Sequence, residues 1–429
     1  MSWLQVVAVA VTIGLNALDG FDVLAISFAS PGIAAEWHID RAQLGVVLSM
    51  ELLGMAIGSI TLGGVADRIG RRGTILGCLV VMAFGMIMVT TASTITQLSL
   101  WRILTGLGIG GMLAVTNAAT AEFANDRNRN LCVSLMAIGY PIGAVLGGKI
   151  VEYLLVSHDW RSVFRFGALM TAAYIPIVYW AIPESVAWLT HKQPPRALEK
   201  INRTLGRMGH PTLSELPAAV HEVSKSSARE AFSTAYIATT LLVTCAYFFH
   251  ITTFYYVLKW IPKIVVDMGF NPSSAAGVLV WANVGGALGG ALLGLASHYF
   301  PIKKLTIIVL FVSFFIVNLF GRGPTDLQHL ALICGSIGFF TNGGIVGLYA
   351  LFAQVFPTRI RAFGTGFAIG TGRGGAVLAP IIAGVLFQAG QPLSKVSLIM
   401  ALGSLIAAGL LSVLRVKESA VVTAEMKSA

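Results

Sequence analysis

The sequence predicts an all-α polytopic membrane protein, with twelve transmembrane helices in two six-helix halves. Of its 429 residues, 56% are hydrophobic and only 11% are charged, whereas soluble domains carry about 25% charged residues. Apolar runs of about 20 residues recur along the chain, and each is long enough to cross a bilayer as a helix. Basic residues concentrate in alternate loops, which is typical of a polytopic membrane protein.

Charge clusters and Pro/Gly punctuation divide the chain into twelve spans. The predicted spans are 3–30, 42–65, 74–93, 98–121, 132–156, 162–182, 234–259, 273–297, 305–321, 328–353, 362–387 and 393–414. The first span lacks a basic n-region and a small-residue cleavage site, so we expect it to be retained rather than removed as a signal peptide. The four cysteines lie singly within spans, which predicts neither a metal site nor a disulfide framework.

One long polar stretch, residues 183–233, separates the sixth span from the seventh. It predicts a cytoplasmic central loop between an N-terminal six-helix half (1–182) and a C-terminal six-helix half (234–414), with a cytoplasmic tail at 415–429. The run Pro194-Pro195-Arg196-Ala197-Leu198 predicts the start of a short surface helix within that loop.

The distribution of Lys and Arg predicts the orientation. Loops 2–3, 4–5, 6–7, 8–9 and 10–11 contain sixteen basic residues and the tail three more, whereas the other loops contain six. The positive-inside rule then places both termini and the central loop in the cytoplasm. Because the net charge of +10 follows this pattern, it indicates topology and not nucleic-acid binding.

The two halves show related motifs at a constant offset of 232 residues. The matches are Arg71-Arg72 with Lys303-Lys304, Arg127-x-Arg129 with Arg359-x-Arg361, and Gly106 with Gly338. A constant offset across loops and a helix predicts two parallel repeats. In such carriers the binding site lies near the membrane midplane, between the halves.

Two aspartates lie inside the first apolar span, in the run Asp19-Gly20-Phe21-Asp22. Intramembrane carboxylates are costly and therefore point to function. With Asn16 they form a polar stripe at three-residue spacing on one helix face. Two carboxylates one turn apart titrate jointly, which suits proton loading and release. The alternative is a pair fixed by helix–helix hydrogen bonds, and which aspartate carries the proton stays open.

The loop after the second span reads Gly63-Gly64-Val65-Ala66-Asp67-Arg68-Ile69-Gly70-Arg71-Arg72. This run resembles the G-x-x-x-D-R-x-G-R-R signature of the major facilitator superfamily. The resemblance implies the twelve-helix fold of that family and a cytoplasmic gate, formed by Asp67, Arg71 and Arg72, that stabilises the outward-open state. The corresponding run of the second half, residues 297–304, begins with Ser297-His298 and contains no aspartate. Any such gate is therefore asymmetric between the two halves.

Three short motifs further resemble the aromatic acid:proton symporters. They are the D-G-x-D element at residues 19–22, the glycine-rich run 102–111, and the run 357–366 with Gly372-Arg373-Gly374-Gly375 after it. The resemblance implies proton-coupled uptake of an aromatic or related carboxylate by alternating access. The carboxylate itself is not identified, since Met112-Leu113-Ala114-Val115-Thr116-Asn117 departs from the expected Met/Pro-Asn stretch.

Two more carboxylates are candidates. Glu51, about ten residues into the second span, serves either the proton pathway or a structural pair. Glu122 ends the fourth span on the predicted cytoplasmic side, and we expect it to pair with Arg127 or Arg129 as part of the gate.

The candidate substrate contacts are arginines and aromatic residues. Arg373, between glycines, can hold a carboxylate bidentately or bond to backbone carbonyls. Arg102, near the outer end of its span, either extends to the interface or attracts an incoming anion. On the seventh span, Phe249, Tyr256 and Trp260 share one face, which either sandwiches an aromatic ring or forms an interfacial belt.

The predicted function is a proton-coupled symporter that imports an aromatic or related carboxylate. Its partners are then a small organic anion, protons and the lipid bilayer, without nucleic acid or cofactor, and we expect a monomer in the bacterial inner membrane. The alternative is a proton-coupled exporter of drugs or other organic compounds, which needs no substrate-facing arginine. A sensor or an enzyme is less favoured, because the sequence shows no metal constellation, nucleophile–base set or phosphate loop.

Overall fold

The computed structural model describes residues 1–125, 127–216, 232–234, 236–323 and 326–414. In these residues the backbone forms fourteen α-helices and no strand. The first eight are α1 (Trp3–Trp37), α2 (Arg41–Ile69), α3 (Arg71–Thr91), α4 (Ile95–Phe123), α5 (Arg129–Ser157), α6 (Arg161–Ala181), α7 (Val186–Lys192) and α8 (Ala197–Met208). The others are α9 (Ile237–Asp267), α10 (Pro272–Ala296), α11 (Ile302–Phe320), α12 (Leu327–Val355), α13 (Thr358–Gln388) and α14 (Leu393–Val413).

Within this part of the chain, twelve helices are long and apolar enough to span a membrane, which confirms the predicted fold class. Two predicted boundaries are wrong by about two turns. Helix α1 continues through Pro31 to Trp37, and α9 continues through Pro262 to Asp267. Proline is tolerated inside membrane helices because neighbouring groups satisfy the backbone carbonyl that it frees. The second error placed Lys259 at the end of a span instead of inside it.

The polar stretch between the sixth and seventh spans contains α7 and α8. Helix α8 begins directly after Pro194-Pro195-Arg196, as the sequence predicts. Residues 217–231 of the predicted loop and the predicted tail at 415–429 lie outside the described residues.

The six long helices on each side of this stretch pack in the same pattern. In the first half α2 packs on α4, α1 on α5, and α3 on α4 and α6, and in the second half α10 packs on α12, α9 on α13, and α11 on α12 and α14. Helices α4 and α12 begin and end at the 232-residue offset seen between the sequence motifs. The two halves are therefore built alike, in keeping with the predicted repeat.

The halves contact each other most extensively along two helix pairs, α2 with α13 and α5 with α10, and to a smaller extent between α1 and α9. We call the side with the α1–α2, α5–α6, α9–α10 and α13–α14 connections the far face, and the opposite side, with residues 1 and 414, the termini face. Near the far face Gly45 lies against the backbone of Pro380. The Ser273 hydroxyl donates to the Glu152 carbonyl at 2.8 Å.

An ion pair also crosses between the halves at the far face. Arg41 Nη2 lies 3.2 Å from Asp267 Oδ2, and Lys263 pairs with the same carboxylate. Between described residues, the hydrogen bonds that join the halves lie at the far face or at mid-depth, and none lies at the termini face. The far face is therefore closed. With the predicted orientation, this conformation faces inward.

Glycines allow the closest helix contacts within each half. A Cβ atom at Gly338 would lie 1.7 Å from the Ala282 carbonyl oxygen, and one at Gly106 would lie 2.1 Å from that of Glu51. These two positions correspond in the repeat. Both bring α4 or α12 against the backbone of its partner helix.

We predict that Gly338→Ala lowers the stability of the purified protein by about 1–3 kcal/mol, because the added methyl overpacks the α10–α12 contact. Gly294→Ala on α10 is the matched control, since a Cβ there meets nothing within 4 Å. It should be neutral or stabilising, because alanine favours helix more than glycine does. Unfolding of both variants in detergent measures the difference, and equal effects would contradict the packing argument.

Candidate proton and carboxylate site

Asp19 and Asp22 lie in the middle of α1 and are almost fully buried, with relative exposures of 1% and 0%. None of their four carboxylate oxygens has a hydrogen-bond partner among the described residues. The Thr171 hydroxyl lies near Asp22, but the distance and angle between them do not make a hydrogen bond. The predicted alternative, aspartates fixed by helix–helix hydrogen bonds, therefore does not describe this conformation. An ionised carboxylate is costly in such surroundings, and a bound proton neutralises it.

Asn16, the third member of the predicted polar stripe, is used in helix packing. Its side-chain amide donates to the Met136 carbonyl at 2.7 Å and thereby joins α1 to α5. The residue is buried. In this conformation the predicted contact of Asn16 with substrate is therefore replaced by a contact with the backbone.

Glu51 lies at the centre of a buried charge cluster. Its Oε1 pairs with Arg102, and its Oε2 lies 3.3 Å from Lys259 Nζ. All three side chains are completely buried. Of the two roles predicted for Glu51, the structure favours the structural pair, because both of its oxygens face cations.

Lys259 connects the two halves through this cluster. It lies on α9 in the second half, whereas Glu51 lies on α2 and the Val23 carbonyl, which also accepts from Lys259, lies on α1. A buried ammonium requires such partners, because an unpaired charge in this environment is costly. With Arg102 on α4, the cluster and the Val23 carbonyl thus join four helices and both halves.

Arg102 occupies neither of its two predicted environments. It does not extend to the membrane interface, and its guanidinium is directed inward to Glu51 and to the Asp22 carbonyl at 3.2 Å. Its guanidinium carbon lies 5.3 Å from the centre of the Phe164 ring. Arg102 is therefore engaged within the first half and does not present a free charge to an incoming anion.

Arg373 on α13 differs from Arg102 in both respects. It is only half-buried, and no described residue forms a hydrogen bond or an ion pair with it. Its charge acts on Asp19, Tyr140, Tyr247 and Tyr255. We call these four residues and Arg373 the central group, which draws on α1 and α5 in the first half and on α9 and α13 in the second. The backbone-carbonyl alternative for Arg373 is not what the structure contains.

The aromatic face predicted on the seventh span packs inside the second half. Tyr256 is fully buried with its hydroxyl 2.7 Å from that of Ser397 on α14. The Trp260 indole donates to the Pro380 carbonyl at 3.2 Å. Phe249 is half-buried on the same face. In this conformation Tyr256 and Trp260 are used in packing, so their predicted contact with substrate remains a prediction, and Tyr255, one residue away, belongs to the central group.

Comparison with known proteins agrees with this architecture. The sequence profile of the Major Facilitator Superfamily matches residues 12–337. The chain belongs to the Major Facilitator Superfamily. A solved member, a D-xylose-proton symporter, superposes with a TM-score of 0.75 at 17% identity and covers 97% of this chain and 99% of its own. At that identity the superposition supports the fold alone.

Relatives within the superfamily are named for aromatic acids. The chain is 31% identical over 400 residues to the gallate transporter of Pseudomonas putida, covering 91% of this chain and 87% of that one. It is 30% identical to the 4-hydroxybenzoate transporter PcaK of the same species, covering 84% and 81%. The 3-(3-hydroxy-phenyl)propionate transporter of Escherichia coli is 31% identical, covering 92% and 91%.

The superfamily signature, at the end of α2 and the start of α3, is held by residues of the first half and of the central stretch. Arg71 Nη1 lies 2.8 Å from Asp67 Oδ1, and the Trp188 indole donates to the Asp67 carbonyl at 3.0 Å. The Asp67 side chain is 65% exposed, and no described residue of the second half bonds to it. The gate role of Asp67, Arg71 and Arg72 remains a prediction, because the termini face is not closed in this conformation.

Glu122 forms an ion pair with Arg71, which was not one of its predicted partners. Its Oε1 lies 3.4 Å from Arg71 Nε, because the end of α4 faces the start of α3. Arg127 is exposed on the loop that follows α4, and Arg129 is exposed at the start of α5. The pairing of Glu122 with these arginines, and their gate roles, remain predictions.

Glu184 is a further anchor of this loop that the sequence analysis missed. Its Oε1 accepts the backbone N–H of Arg71 at 2.7 Å and that of Ser185 at 2.9 Å. Gly70, with φ +100°, makes the turn that aims the α3 N-terminus at the carboxylate. Because helix N-termini favour carboxylates, an acidic residue directly after the sixth span is the sequence signal from which this role of Glu184 could have been predicted.

Lys259 and Tyr255 were also missed. A seventh span drawn to Asp267 would have identified Lys259 as an intramembrane cation, and such residues are functional candidates by default. No local signal distinguishes Tyr255 from Tyr256, since adjacent residues differ only in the direction in which they leave the helix.

We predict that Arg102→Met destabilises the protein by about 3–5 kcal/mol, because it leaves one Glu51 oxygen buried beside no cation. Arg373→Met is the matched control and should change stability little, since Arg373 has no ion pair among the described residues. Denaturant unfolding in detergent micelles compares the two variants. Equal losses would contradict the distinction between a paired and an unpaired arginine.

Proposed function

We propose that this chain is a proton-coupled symporter that imports an aromatic monocarboxylate by alternating access. The observation that supports this most directly is the pair of unpaired buried carboxylates, Asp19 and Asp22, of which Asp19 lies within the electrostatic influence of the unpaired Arg373 from the other half. Carboxylates without donors suit protons, and a guanidinium suits a carboxylate ligand. Sites for both co-substrates therefore lie within one cluster.

The charges of this region suggest how the two co-substrates are coupled. Six buried or half-buried side chains balance in the empty site once Asp19 and Asp22 have both released their protons, namely Asp19, Asp22 and Glu51 against Arg102, Lys259 and Arg373. A bound monocarboxylate adds one negative charge, which one proton on the Asp19/Asp22 pair restores to neutrality. An uncompensated buried charge is costly, so the loaded site closes only with both present. The proposed coupling is one proton per monocarboxylate.

The aromatic character of the substrate is supported by the site and by the relatives. Tyr140 and Tyr255 lie around Arg373 and offer ring faces and hydroxyl donors to a ring that bears a carboxylate. Gallate, 4-hydroxybenzoate and 3-(3-hydroxyphenyl)propionate, for which the relatives are named, all have this form. We propose the class and not one member.

The setting follows from the fold and from the charge distribution. The chain is a multi-pass membrane protein with bacterial transporter relatives. We place it in the bacterial cytoplasmic membrane as a monomer, with both termini in the cytoplasm, driven by the proton gradient without a cofactor. The predicted loop gate of Asp67, Arg71, Arg72, Glu122, Arg127 and Arg129 then lies on the cytoplasmic side.

Export of hydrophobic compounds is the competing function with the same fold. It requires proton-binding acids but no arginine directed at the substrate. The unpaired Arg373 and the names of the relatives favour uptake of an acid over export. The direction of proton-driven flux in reconstituted vesicles decides between the two.

We predict that Asp22→Asn abolishes uptake of 4-hydroxybenzoate or gallate driven by an imposed pH gradient, because the amide cannot exchange a proton. Proteoliposomes measure radiolabelled uptake together with proton influx, and the wild type should show both. Asp326→Asn is the control, since that aspartate is exposed at the start of α12. Gradient-driven accumulation at the wild-type level in Asp22→Asn would overturn the proton role of this residue.

We predict that Arg373→Gln raises the KM for the carboxylate at least tenfold, because it removes the unpaired cation of the central group. Arg373→Lys should recover only part of the affinity, since an ammonium cannot bind a carboxylate bidentately. Arg322→Gln, on an exposed far-face turn, is the control. An unchanged KM in Arg373→Gln would favour the export alternative.

A further inference from the structure

One face of α9 leads from the central group to the far face. Tyr255, Lys259, Lys263 and Asp267 follow one another at four-residue intervals, so each lies next to the one before it in a row that winds about 40° per step around the helix. Tyr255 lies in the field of Arg373, whereas Lys263 and Asp267 pair at the far face. Lys259 thus lies between the Lys263–Asp267 pair at the far face and Tyr255 in the central group.

The outer end of this face borders a cavity of about 520 Å³. Its lining includes Arg41, Leu44, Lys263, Asp267 and Phe387. Pockets for small molecules have volumes of about 300–1,000 Å³, so one aromatic acid fits here. Lys259 lies one turn deeper on the same helix face than Lys263.

The polar contacts of Lys259 come from the opposite half of the molecule. Its ammonium donates to Glu51 Oε2 and to the Val23 carbonyl, both in the first half, while Lys259 itself belongs to the second. Separating the halves at the far face breaks both contacts. Glu51 keeps Arg102, which lies in its own half, so opening leaves Lys259 as the group that lacks a partner.

We propose that Lys259 is a second carboxylate-binding cation, which holds the incoming substrate when the far face is open and is taken over by Glu51 when that face closes. The inference rests on the proposed function and adds a site to it. An anionic substrate satisfies the ammonium that opening uncovers. Closure of the far face restores the contact between Glu51 and Lys259, so that Arg373 alone binds the substrate carboxylate. The affinity for substrate is then lower when the termini face is open, and this promotes release.

The test measures the KM for 4-hydroxybenzoate separately from each face, in vesicles of known protein orientation. We expect Lys259→Met to raise the far-face KM at least tenfold and to change the termini-face KM less than twofold. Lys259→Arg should restore most of the far-face affinity. Lys395→Met, at an exposed site near the start of α14, is the matched control. An equal change at both faces, or none at either, would overturn the proposal.

A double variant separates substrate binding from a purely structural role. Lys259→Met alone leaves Glu51 with one cation, and its thermal stability should fall. Glu51→Gln combined with Lys259→Met removes both charges of this pair, and stability should fall further because the buried Arg102 loses its carboxylate. The far-face KM is therefore the readout of the double variant. If Lys259 binds substrate, the far-face KM of the double variant stays at least tenfold raised. A return of that KM to the wild-type value would show that Lys259 serves only Glu51 and would overturn the proposal.

Failure of this inference differs from failure of the proposed function. If the wild type transports no aromatic carboxylate under a pH gradient, the proposed function fails, and the Lys259 site fails with it. If the wild type transports 4-hydroxybenzoate and the Lys259 variants keep the same far-face KM, only the second site fails.

Discussion

The shared pairing of Glu51 with Arg102 and Lys259 is the interaction on which the closed far face depends. The three side chains are completely buried and belong to different helices, and one of them belongs to the other half. Each charge alone is costly away from water, whereas together they attract strongly in a medium of low dielectric constant. The halves therefore close at this depth only when the three groups meet, and closure places the unpartnered Asp22 directly beside them.

The two ends of the molecule are organised differently. At the far face the contacts cross between halves, with Arg41 from the first and Asp267 from the second. At the termini face the signature loop is held without the second half, since Glu184 of the central stretch caps α3 and Arg71 pairs with Asp67 and Glu122. The second half has Tyr299 where the first has Asp67, which fits this asymmetry. The far face thus closes by forming the ion pair between Arg41 and Asp267, whereas the signature loop at the termini face is ordered while that face is open.

The sequence was sufficient to predict the fold, because a bilayer requires apolar spans of a set length and a charge bias between the loops on its two sides. Span length, basic loops and the 232-residue offset follow from hydrocarbon thickness and gene-level repetition, and α4 and α12 lie close to where these signals put them. The site was predicted less completely. Tyr255 and Tyr256 point about 100° apart on α9, and packing on α14 decides which faces the centre. The role of Lys259 depends on its contact with Glu51, which lies 208 residues earlier in the chain.

The balance of three acids and three bases has a bioenergetic consequence. Moving one elementary charge across a membrane potential of 100 mV changes the free energy by about 2.3 kcal/mol. Under the proposed cycle the empty and the loaded carrier are both neutral, so their interconversion carries no net charge through that field. Voltage then neither drives nor resists accumulation, and the pH difference alone sets its limit. A cell with a large potential but equal pH on both sides would exchange substrate without concentrating it.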